Sequence, residues 1–478
     1  MSKLTDALYG FQRNDVARFV ELPRGINGNP MGAGKTIEAL AIAEQLNARH
    51  VLVVCKKTYI GEWFRQTCEW SDGDTLTPHE NSQYEHRLSG LNLADPHYVV
   101  VNYDLLLNHM SLDDLKKVPW DILIVDECHK IKNHEARRTR AAYMLSYPIP
   151  RTLLMSGTPL QRNPLDLFPL FHIINPRNYH NWRWWRDTFC VVEKEEMWLK
   201  GYDGKPRQRL ITKIVPGTNN EEQLNQLLHL YMVRHEKSEI FTHLPPKTYR
   251  VVPVTLGHEM SQYKQMEDEY LAILDSGELI TAPKAIAQMT RLRQICCDPN
   301  LMSPTGPYMS SGSNKTTALL DLIEDSGDDK LVVFSVFARY VKLLSDELNA
   351  HDVKHVVITG GETPTETSRA EQSFQHDDSV KVALGTVGAM GECFTLTAGK
   401  KVVFMDRPWN STDSDQCEDR VWGRVDRGLD VEDKVEVIDL FNTGTVEEHV
   451  LAIRRSKEKM IEAVVTERVV DRLRKERT

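Results

Sequence analysis

Short apolar runs rich in β-branched residues recur along the chain, separated by stretches with helical patterning. The runs begin, in chain order, at His50, Tyr98, Asp121, Arg151, Lys330, Lys354, Lys381, Lys400 and Lys434. Strands that alternate with helices are typical of a parallel sheet whose strands are joined by crossover helices. Because the runs fall into two separate series, the sequence predicts an α/β protein with two lobes, each a parallel sheet flanked by helices.

The chain has 478 residues, a length that suits two domains with insertions. Residues 164–246 are aromatic, charged and poor in strand signals, so we predict a helical insertion within a first lobe of residues 1–255. Residues 256–312 show helical patterning and end in a Gly/Ser/Pro-rich segment, which predicts a second helical insertion and the connection. Residues 313–478 form the predicted second lobe, which closes with a charged helix from Val446 onward.

Composition limits the classes of function. The formal net charge is −9, so we expect phosphate groups to bind to local side chains in a groove rather than to the whole surface. No apolar run approaches the roughly 20 residues of a membrane span, and the N-terminus has no apolar signal core. The eight cysteines lack paired zinc-ligand spacing and are predicted to be reduced thiols. We therefore expect an intracellular protein without a membrane segment.

A glycine-containing loop leads directly into an amphipathic helical segment near the N-terminus. Its residues are Met31, Gly32, Ala33, Gly34, Lys35 and Thr36. In such a loop, main-chain N–H groups surround the phosphates, the lysine reaches the β- and γ-phosphates, and the Thr36 hydroxyl holds Mg²⁺. The strict pattern has a glycine at the position of Asn29, so a glycine-rich helix cap with a surface lysine is the alternative. The loop predicts ATP and Mg²⁺ as cofactors.

An acidic box follows a later apolar strand. The segment DILIVDECHK places Asp126, Glu127 and His129 at the carboxyl end of that strand, which is the sheet edge where ligands bind in α/β proteins. Asp126 is suited to hold Mg²⁺, and Glu127 to polarise the water that attacks the γ-phosphate. The box is a weak signal alone, but it is a strong one after a strand and an upstream Lys-Thr pair.

Small hydroxyl residues follow the next predicted strand. Ser156, Gly157 and Thr158 lie where such residues are suited to sense the phosphates and to couple hydrolysis to movement. A simple turn is the alternative, because Gly-Thr-Pro is turn chemistry in any protein.

The second series of strands ends near an arginine-rich segment, DQCEDRVWGRVDRG. Arg420, Arg424 and Arg427 are spaced so that two could project from one helical face toward a phosphate, as arginine fingers do. A solvated charged helix is the alternative, because acidic residues are interleaved with the arginines. The order of the motifs along the chain favours the fingers.

The motifs follow the order of one known family. They are LYGFQRNDV, MGAGKT, VLVVCKKTYIGEW, NYDLL, DECHKIKN, SGTPLQRN, YMVRHEKSE with LPPK, RLRQICCDP, VVFSVF, GAMGECFTLTA, DRPWN and DQCEDR. By these segments the chain resembles the Swi/Snf-type ATPases of helicase superfamily two along almost its whole length. The resemblance implies two RecA-like lobes and ATP-driven translocation along double-stranded DNA, 3′ to 5′, without obligatory strand separation. Remodelling, repair or fork processing would be its use.

The resemblance also implies roles for individual residues. Gln12 would read the adenine, and Gly391 and Gln416 would couple the lobes. Six residues fall where the family grips the DNA backbone, namely Lys56, Thr58, Asn102, Tyr103, Ser335 and Thr386. An ordinary loop residue is the alternative for each of them. Backbone contacts fix a protein's position without reading bases, so no sequence specificity is expected.

The sequence departs from the family's pattern at three places. Asn29-Pro30 stands where the family often carries an acidic pair, and Cys128 where alanine is usual. In the arginine segment, one alignment uses Arg420 and sets Arg424 one step late, whereas a second selects Arg424 and Arg427. Both alignments stay open, and Arg424 ranks first because it is nearest the site in both.

An aromatic segment and a pair of adjacent cysteines each allow two interpretations. The segment NWRWWRDTF could stack on bases, but a packed helical protrusion is favoured. The pair Cys296 and Cys297 suggests redox control or, more commonly, buried thiols.

We expect a compact monomeric motor of bacterial, archaeal or viral origin, with a possible protein partner. A strand-separating DNA or RNA helicase, and a binding protein with a degenerate nucleotide site, remain as alternatives.

Overall fold

The computed structural model describes residues 3–71, 74–76, 97–160, 163–200, 206–240, 247–257, 259–275, 282–302, 313–391, 394–409, 411–422 and 434–448. These residues form two compact units that divide after residue 241. Arg424, Arg427 and most of the predicted C-terminal helix lie outside the described residues. None of the helices in the described ranges is long and apolar enough to cross a membrane.

The first unit is built on a parallel sheet. Its strands are β1 Arg24–Asn27, β2 His50–Cys55, β3 Asp74–Leu76, β4 His97–Asn102, β5 Ile122–Asp126, β6 Arg151–Met155, β7 Cys190–Lys200, β8 Pro206–Thr218 and β9 Met232–Val233. All except β7 and β8 belong to one sheet of order β3-β4-β2-β5-β6-β1-β9, in which all neighbours are parallel.

Helices cover both faces of this sheet. They are α1 Lys3–Ala7, α2 Gly10–Glu21, α3 Lys35–Gln45, α4 Ile60–Trp70, α5 His109–Lys117, α6 Arg137–Ser146, α7 Phe168–Ile174, α8 Trp182–Phe189, α9 Glu221–Tyr231 and α10 Lys237–Ile240. Along β2, Val51 and Val53 enter one hydrophobic cluster, and Leu52 and Val54 enter the other. Burial on both faces explains why this strand is a continuous apolar run.

Residues 164–246, which were predicted to form a helical insertion, are only partly helical. They contain α7, α8 and α9, but β7 and β8 form a long antiparallel hairpin between α8 and α9, and β9 completes the first sheet. The strands of the hairpin carry many charged residues, so they lack the apolar runs on which strand prediction depended.

The second unit has a sheet of its own. Its strands are β10 Lys247–Val254, β11 Lys330–Ser335, β12 His355–Ile358, β13 Val382–Thr386, β14 Gly399–Phe404 and β15 Val435–Asn442. They are parallel in the order β10-β15-β14-β11-β13-β12. The predicted lobe boundary at residue 255 lies too far along the chain, because β10 pairs over its whole length with β15.

The helices of the second unit enclose this sheet. They are α11 Met260–Asp275, α12 Ala282–Cys297, α13 Asn314–Asp325, α14 Ala338–Ala350, α15 Pro364–His376, α16 Val387–Met390 and α17 Ser411–Trp422. Short 3-10 helices occur at Lys57–Tyr59, Leu105–Leu107, Cys128–Ile131, Pro164–Leu167 and Pro299–Met302. The helices α11 and α12 lie in the segment 256–312 that was predicted to be helical.

Candidate nucleotide site

The glycine-containing loop connects β1 to α3 in a conformation suited to phosphates. Gly32 and Gly34 have φ angles of 81° and 78°, in the left-handed region that favours glycine. The Gln12 side chain donates from Nε2 to the main-chain oxygen of Ala33 at 2.9 Å. A Cβ atom at Gly34 would lie 2.5 Å from this Nε2 atom. Glycine therefore lets Gln12 pack against the loop, and α3 begins at Lys35 with its N-terminal N–H groups available to an anion.

Lys35 lies over its own loop and near the acidic box. Its Nζ atom donates to the main-chain oxygens of Asn29 at 2.9 Å and of Pro30 at 3.0 Å. Burial lowers the pKa of Lys35, and the charges of Glu127 and Asp126 oppose this change. Since the two carboxyl groups act on the ammonium group, the loop and the acidic box belong to one electrostatic site.

Asp126 lies buried at the carboxyl end of β5. Its Oδ2 atom accepts a hydrogen bond from Trp63 Nε1, and its Oδ1 atom accepts one from the main-chain nitrogen of Glu127, both at 2.9 Å. Burial and the neighbouring Glu127 carboxyl raise the pKa of Asp126 to about 6. A cation bound to Asp126 would stabilise its ionised form. Together with the Thr36 hydroxyl at the start of α3, this donor set fits Mg²⁺, which prefers oxygen ligands.

Glu127 is held by residues from two motifs. His129 Nδ1 lies 3.1 Å from Glu127 Oε2 and 3.0 Å from the Oγ atom of Ser156, and this Oγ atom donates to Glu127 Oε2 at 3.4 Å. Burial alone would raise the pKa of Glu127, but the hydrogen bond and charge of His129 lower it below its usual value. The carboxylate is therefore ionised and oriented, as a group that positions water must be.

The Ser156–Thr158 turn packs directly on the phosphate loop. A Cβ atom at Gly157 would lie 3.3 Å from Met31 Cγ and 3.4 Å from the Met31 main-chain nitrogen. Arg234, which follows β9, donates from Nη1 to the main-chain oxygens of Gly28 at 3.2 Å and of Gly157 at 2.9 Å. The turn thus contacts both the loop and Glu127, which is more than a simple turn requires. Sequence reasoning missed Arg234, because its partners are far away along the chain.

A buried polar cluster behind the loop accounts for the departure at Asn29. Its side chain donates to Asp15 Oδ2 at 2.8 Å and accepts from the main-chain nitrogen of His235 at 3.1 Å. His235 Nε2 lies 2.9 Å from Asp15 Oδ1, and Glu38 Oε2 accepts from Asn27 Nδ2 at 2.5 Å. Asn29 therefore joins α2, the loop and the segment after β9, which a glycine could not do.

In the second unit, two of the predicted residues contact each other. Arg420 is buried on α17 and donates from Nε to the main-chain oxygen of Gly391 at 3.0 Å. Gln416 is also buried on this helix. We predicted Arg420 as a possible arginine finger, but here its guanidinium anchors α17 within its own unit. Arg424 and Arg427 lie outside the described residues, so the choice between the two alignments stays a prediction.

Buried ion pairs fix α17 to the second sheet. Arg407 Nη1 lies 2.9 Å from Glu418 Oε1, and the same guanidinium binds the carboxylate of Asp439. Lys247 Nζ lies 3.2 Å from both Glu418 Oε2 and Asp419 Oδ1. These residues come from β10, β15 and the loop after β14, so the helix that carries Arg420 and Gln416 is held by three separate elements.

Four of the six residues predicted to grip DNA are buried and already have hydrogen bonds. Asn102 Oδ1 accepts from the main-chain nitrogen of Leu105 at 2.8 Å, and the Tyr103 hydroxyl donates to the main-chain oxygen of Asp126 at 2.5 Å. Side chains in these positions offer little surface to a phosphate. In the structure, Asn102 and Tyr103 fix the strand ends next to the acidic box, and their DNA contacts stay a prediction.

The two residues of this set that lie in the second unit, Ser335 and Thr386, are also buried and hydrogen-bonded. Ser335 Oγ donates to Asp406 Oδ1 at 2.5 Å, and Thr386 Oγ1 accepts from the main-chain nitrogen of Ala389 at 3.3 Å. Lys56 is half-buried, and Thr58 lies in the 3-10 helix Lys57–Tyr59. Lys56 is the member of the set whose side chain is described and suits contact with a phosphate.

The aromatic and cysteine segments have structural roles. Trp185 is fully buried in the core of the first unit, while Arg183 and Arg186 lie 5.5 Å and 5.3 Å from the ring centre of Trp182. The favoured interpretation of NWRWWRDTF as a packed helix therefore agrees with its position in α8. Cys296 and Cys297 are buried in α12, where burial raises the pKa of both thiols. Burial makes these thiols poor redox sensors.

A phosphate loop, an acidic pair and a hydroxyl turn on one parallel sheet define a nucleoside triphosphatase of the phosphate-loop class. Residues 14–301 match the SNF2-related domain, and residues 314–425 match the helicase conserved C-terminal domain. The chain therefore belongs to the SNF2-related family, within helicase superfamily two. This confirms the resemblance and the two-lobed α/β fold class predicted by the sequence, and it makes the chain an ATP-hydrolysing enzyme of the helicase and translocase class.

Two relatives are similar to most of this chain. The DNA annealing helicase and endonuclease ZRANB3 of Mus musculus is 26% identical over 87% of this chain and 37% of its own length. The ISWI chromatin-remodeling complex ATPase ISW1 of Saccharomyces cerevisiae is 24% identical over 92% of this chain and 38% of its own. The chain thus spans less than two fifths of these two relatives.

Among solved structures, this chain is similar to the Sulfolobus solfataricus SWI2/SNF2 ATPase core in complex with dsDNA, which is 21% identical. The similarity covers 98% of this chain and 96% of that one at a TM-score of 0.43.

Proposed function

We propose that the protein is a DNA-stimulated ATPase that translocates along double-stranded DNA, 3′ to 5′, for remodelling, repair or fork processing. The observation that carries the proposal is the single electrostatic site formed by Lys35, Asp126 and Glu127. A binding protein with a degenerate nucleotide site would have no need for these three charges, because burying them costs free energy.

The residues of the site divide the work of phosphoryl transfer. The N–H groups at the start of α3 would bind the phosphates, and the Lys35 ammonium would leave the oxygens of Asn29 and Pro30 for the β- and γ-phosphates. Glu127, held by His129 and Ser156, would orient the attacking water and accept its proton. Gln12, which already contacts the loop through Ala33, would read the adenine.

Mg²⁺ would be held by Thr36 and Asp126. When bound, the ion neutralises charge on the phosphate oxygens. Burial, followed by the charge of Glu127, raises the pKa of Asp126, and a bound cation would stabilise its ionised form. Asp126 is fixed for this role by Trp63 on one oxygen and by the main chain on the other.

Hydrolysis would be transmitted through the Ser156–Thr158 turn. Ser156 contacts Glu127, Gly157 packs against Met31, and Arg234 ties the turn to the start of the loop. A change at the phosphates would therefore shift all three contacts together. From the family resemblance, Arg420, Arg424 and Arg427 stay the candidate arginine fingers.

Double-stranded DNA is the proposed track. The relatives include a DNA annealing helicase and endonuclease and a chromatin-remodeling complex ATPase, which supports this choice. Contacts would be made to the backbone, so no base sequence would be preferred. Lys56, which is half-buried, would supply one such contact.

The proposal is tested by ATP hydrolysis without nucleic acid and then with single-stranded DNA, duplex DNA or RNA. We expect strong stimulation by duplex DNA in the wild type and none in Glu127→Gln, since the variant retains the shape but loses the base. A tailed duplex, followed by gel separation of the strands, identifies a strand-separating helicase. Absence of hydrolysis under every condition contradicts the motor and favours the binding-protein alternative.

A further inference from the structure

His235 belongs to a short segment after β9 that bonds residue by residue to the start of the phosphate loop. The main-chain oxygen of Val233 accepts from the nitrogen of Gly28 at 2.8 Å. Arg234 then donates to the main-chain oxygen of Gly28 at 3.2 Å. The main-chain nitrogen of His235 donates to Asn29 Oδ1 at 3.1 Å. This segment therefore fixes the first two residues that follow β1.

The imidazole of His235 adds a second attachment through α2. Its Nε2 atom lies 2.9 Å from Oδ1 of Asp15, a carboxyl group that is only 4% exposed. The other oxygen of Asp15, Oδ2, accepts from Asn29 Nδ2 at 2.8 Å. The fully buried side chain of Asn29 is thus held at its oxygen by the His235 main chain and at its nitrogen by the partner of the His235 imidazole.

Asn29 connects this pair to the groups that would meet the nucleotide. Its main-chain oxygen accepts from Lys35 Nζ at 2.9 Å, so its position sets where the lysine starts. The ring of Phe11 packs edge-on against His235, with 5.6 Å between ring centres, and Phe11 precedes Gln12, whose side chain contacts the loop. The imidazole therefore lies where the phosphate loop and the helix that carries Gln12 are joined.

Carboxyl groups of three helices surround the imidazole. They are Asp15 of α2, Glu38 of α3 and Glu239 of α10, whose Oε2 atom lies 4.0 Å from His235 Nδ1. The hydrogen bond to Asp15 raises the pKa of His235 above its usual value, although burial acts in the opposite direction. A charged donor binds a carboxylate more strongly than a neutral one does. The protonated imidazole is therefore the form that holds Asp15 most firmly.

We propose that His235 is a positioning residue for ATP, whose charged imidazole acts through Asp15 and Asn29 to hold the phosphate loop in the form that receives the nucleotide. This role deepens the proposed function and rests on it for the identity of the nucleotide. The charge is present at low pH and is lost as pH rises through the pKa of the imidazole. Affinity for ATP should therefore weaken as the imidazole loses its proton.

The test separates the charge of the imidazole from its hydrogen bond. His235→Gln retains a donor near the position of Nε2 but carries no charge, and His235→Arg retains a charge at every pH. His229→Gln is the matched control, because His229 is an exposed histidine on α9 of the same unit. Binding of a fluorescent, non-hydrolysable ATP analogue with Mg²⁺ is titrated without DNA from about pH 6 to about pH 9, on either side of the ordinary histidine range. Basal kcat and KM for ATP are measured over the same range.

The four proteins should give three different curves. At low pH the wild type, His235→Arg and His229→Gln should bind alike, and His235→Gln about three- to fivefold more weakly, since a charge-assisted hydrogen bond contributes more than a neutral one. As pH rises, the wild type and His229→Gln should approach His235→Gln, whereas His235→Arg should stay tight. The basal kcat should be similar in all four, because none of the changes touches Glu127.

Other carboxyl groups near the loop titrate in every variant. Glu38 and Asp126 have pKa values raised to about 8 and about 6, so the affinity of each variant is divided by that of the wild type at each pH. A ratio for His235→Gln that is constant across the range would overturn the role of the charge. Equal affinities for all four proteins, or a lower kcat with unchanged affinity, would overturn the positioning of the loop by His235.

A second variant and a second measurement keep the outcomes separate. If calorimetry shows that His235→Gln is poorly folded, the curve of His235→Arg still decides, because only a role for the charge makes it tighter than the wild type at high pH. If the analogue follows the expected curves but duplex DNA does not stimulate hydrolysis, the proposed motor fails while the role of His235 stands. If the wild type binds no nucleotide, both fail.

Discussion

Glu38 is a buried carboxyl group on α3, directly behind the phosphate loop. Its Oε2 atom accepts from Asn27 Nδ2 at 2.5 Å and from Asn29 Nδ2 at 3.4 Å. Burial, with a further contribution from the charge of Asp15, raises the pKa of Glu38 to about 8 from its usual value of 4.5. The folded protein therefore holds a proton at neutral pH that the unfolded chain has already released.

The direction of the pH dependence follows from this difference. The folded state binds more protons than the unfolded state between pH 4.5 and about 8, so the free energy of unfolding falls as pH rises through this range. Each unit by which the pKa of the folded state differs from that of the unfolded state corresponds to about 1.4 kcal/mol of stability. Between pH 5 and pH 8 the ionisation of Glu38 should therefore cost about 3 to 4 kcal/mol of stability.

Glu38→Gln should remove this cost, because glutamine has nearly the shape of the protonated carboxyl and does not titrate. The two proteins should unfold at similar temperatures at pH 5. At pH 8 the variant should unfold about 10 °C higher, since about 1 kcal/mol shifts the unfolding of a unit of this size by 2–4 °C. Differential scanning calorimetry of the full chain without nucleotide measures the lobe transition at each pH.

Glu44→Gln is the matched control, because Glu44 is exposed on the same helix. The difference in unfolding temperature between Glu44→Gln and the wild type should be the same at every pH. If Glu38→Gln also differs from the wild type by a constant amount from pH 5 to pH 8, Glu38 ionises normally and the argument from burial is refuted.

Two further changes test the contacts around the site. Ser156→Ala removes the hydroxyl that contacts Glu127 and His129, so kcat should fall about tenfold or more with little change in KM for ATP, as steady-state hydrolysis would show. An unchanged kcat would mean that Ser156 does not orient the base. Arg234→Gln removes the donor shared by Gly28 and Gly157, so the first unit should lose about 2–4 kcal/mol and KM for ATP should rise. If the variant has the stability and the KM of the wild type, the phosphate loop and the Ser156–Thr158 turn hold together without Arg234.

The strands that the sequence predicted correctly are those buried on both faces. The runs beginning at His50 and Lys330 coincide with β2 and β11, because a parallel strand covered by helices on each side must be apolar throughout. The edge strand β10 was missed. Several of its side chains are exposed, and its place in the second sheet depends on pairing with β15, far along the chain.

In the candidate site, too, the sequence predicted the residues that lie in short motifs and missed those that only the fold brings together. The loop, the acidic pair and the turn were visible because each motif is a short segment at the end of a strand. Arg234 and His235 could not be predicted as partners of the loop, because only the folded sheet brings β9 beside β1. The DNA contact of Tyr103 stays a prediction, because the position came from family resemblance, which carries no information about the burial found here.

We propose that ATP hydrolysis drives this chain along duplex DNA. Displacement of a third strand from a DNA triplex, placed downstream of a duplex loading site, measures this movement directly. We expect ATP-dependent release of the third strand by the wild type, no release by Glu127→Gln, and an intact underlying duplex. Duplex-stimulated hydrolysis with the third strand left in place, or release only when the duplex itself is separated, would contradict translocation along duplex DNA.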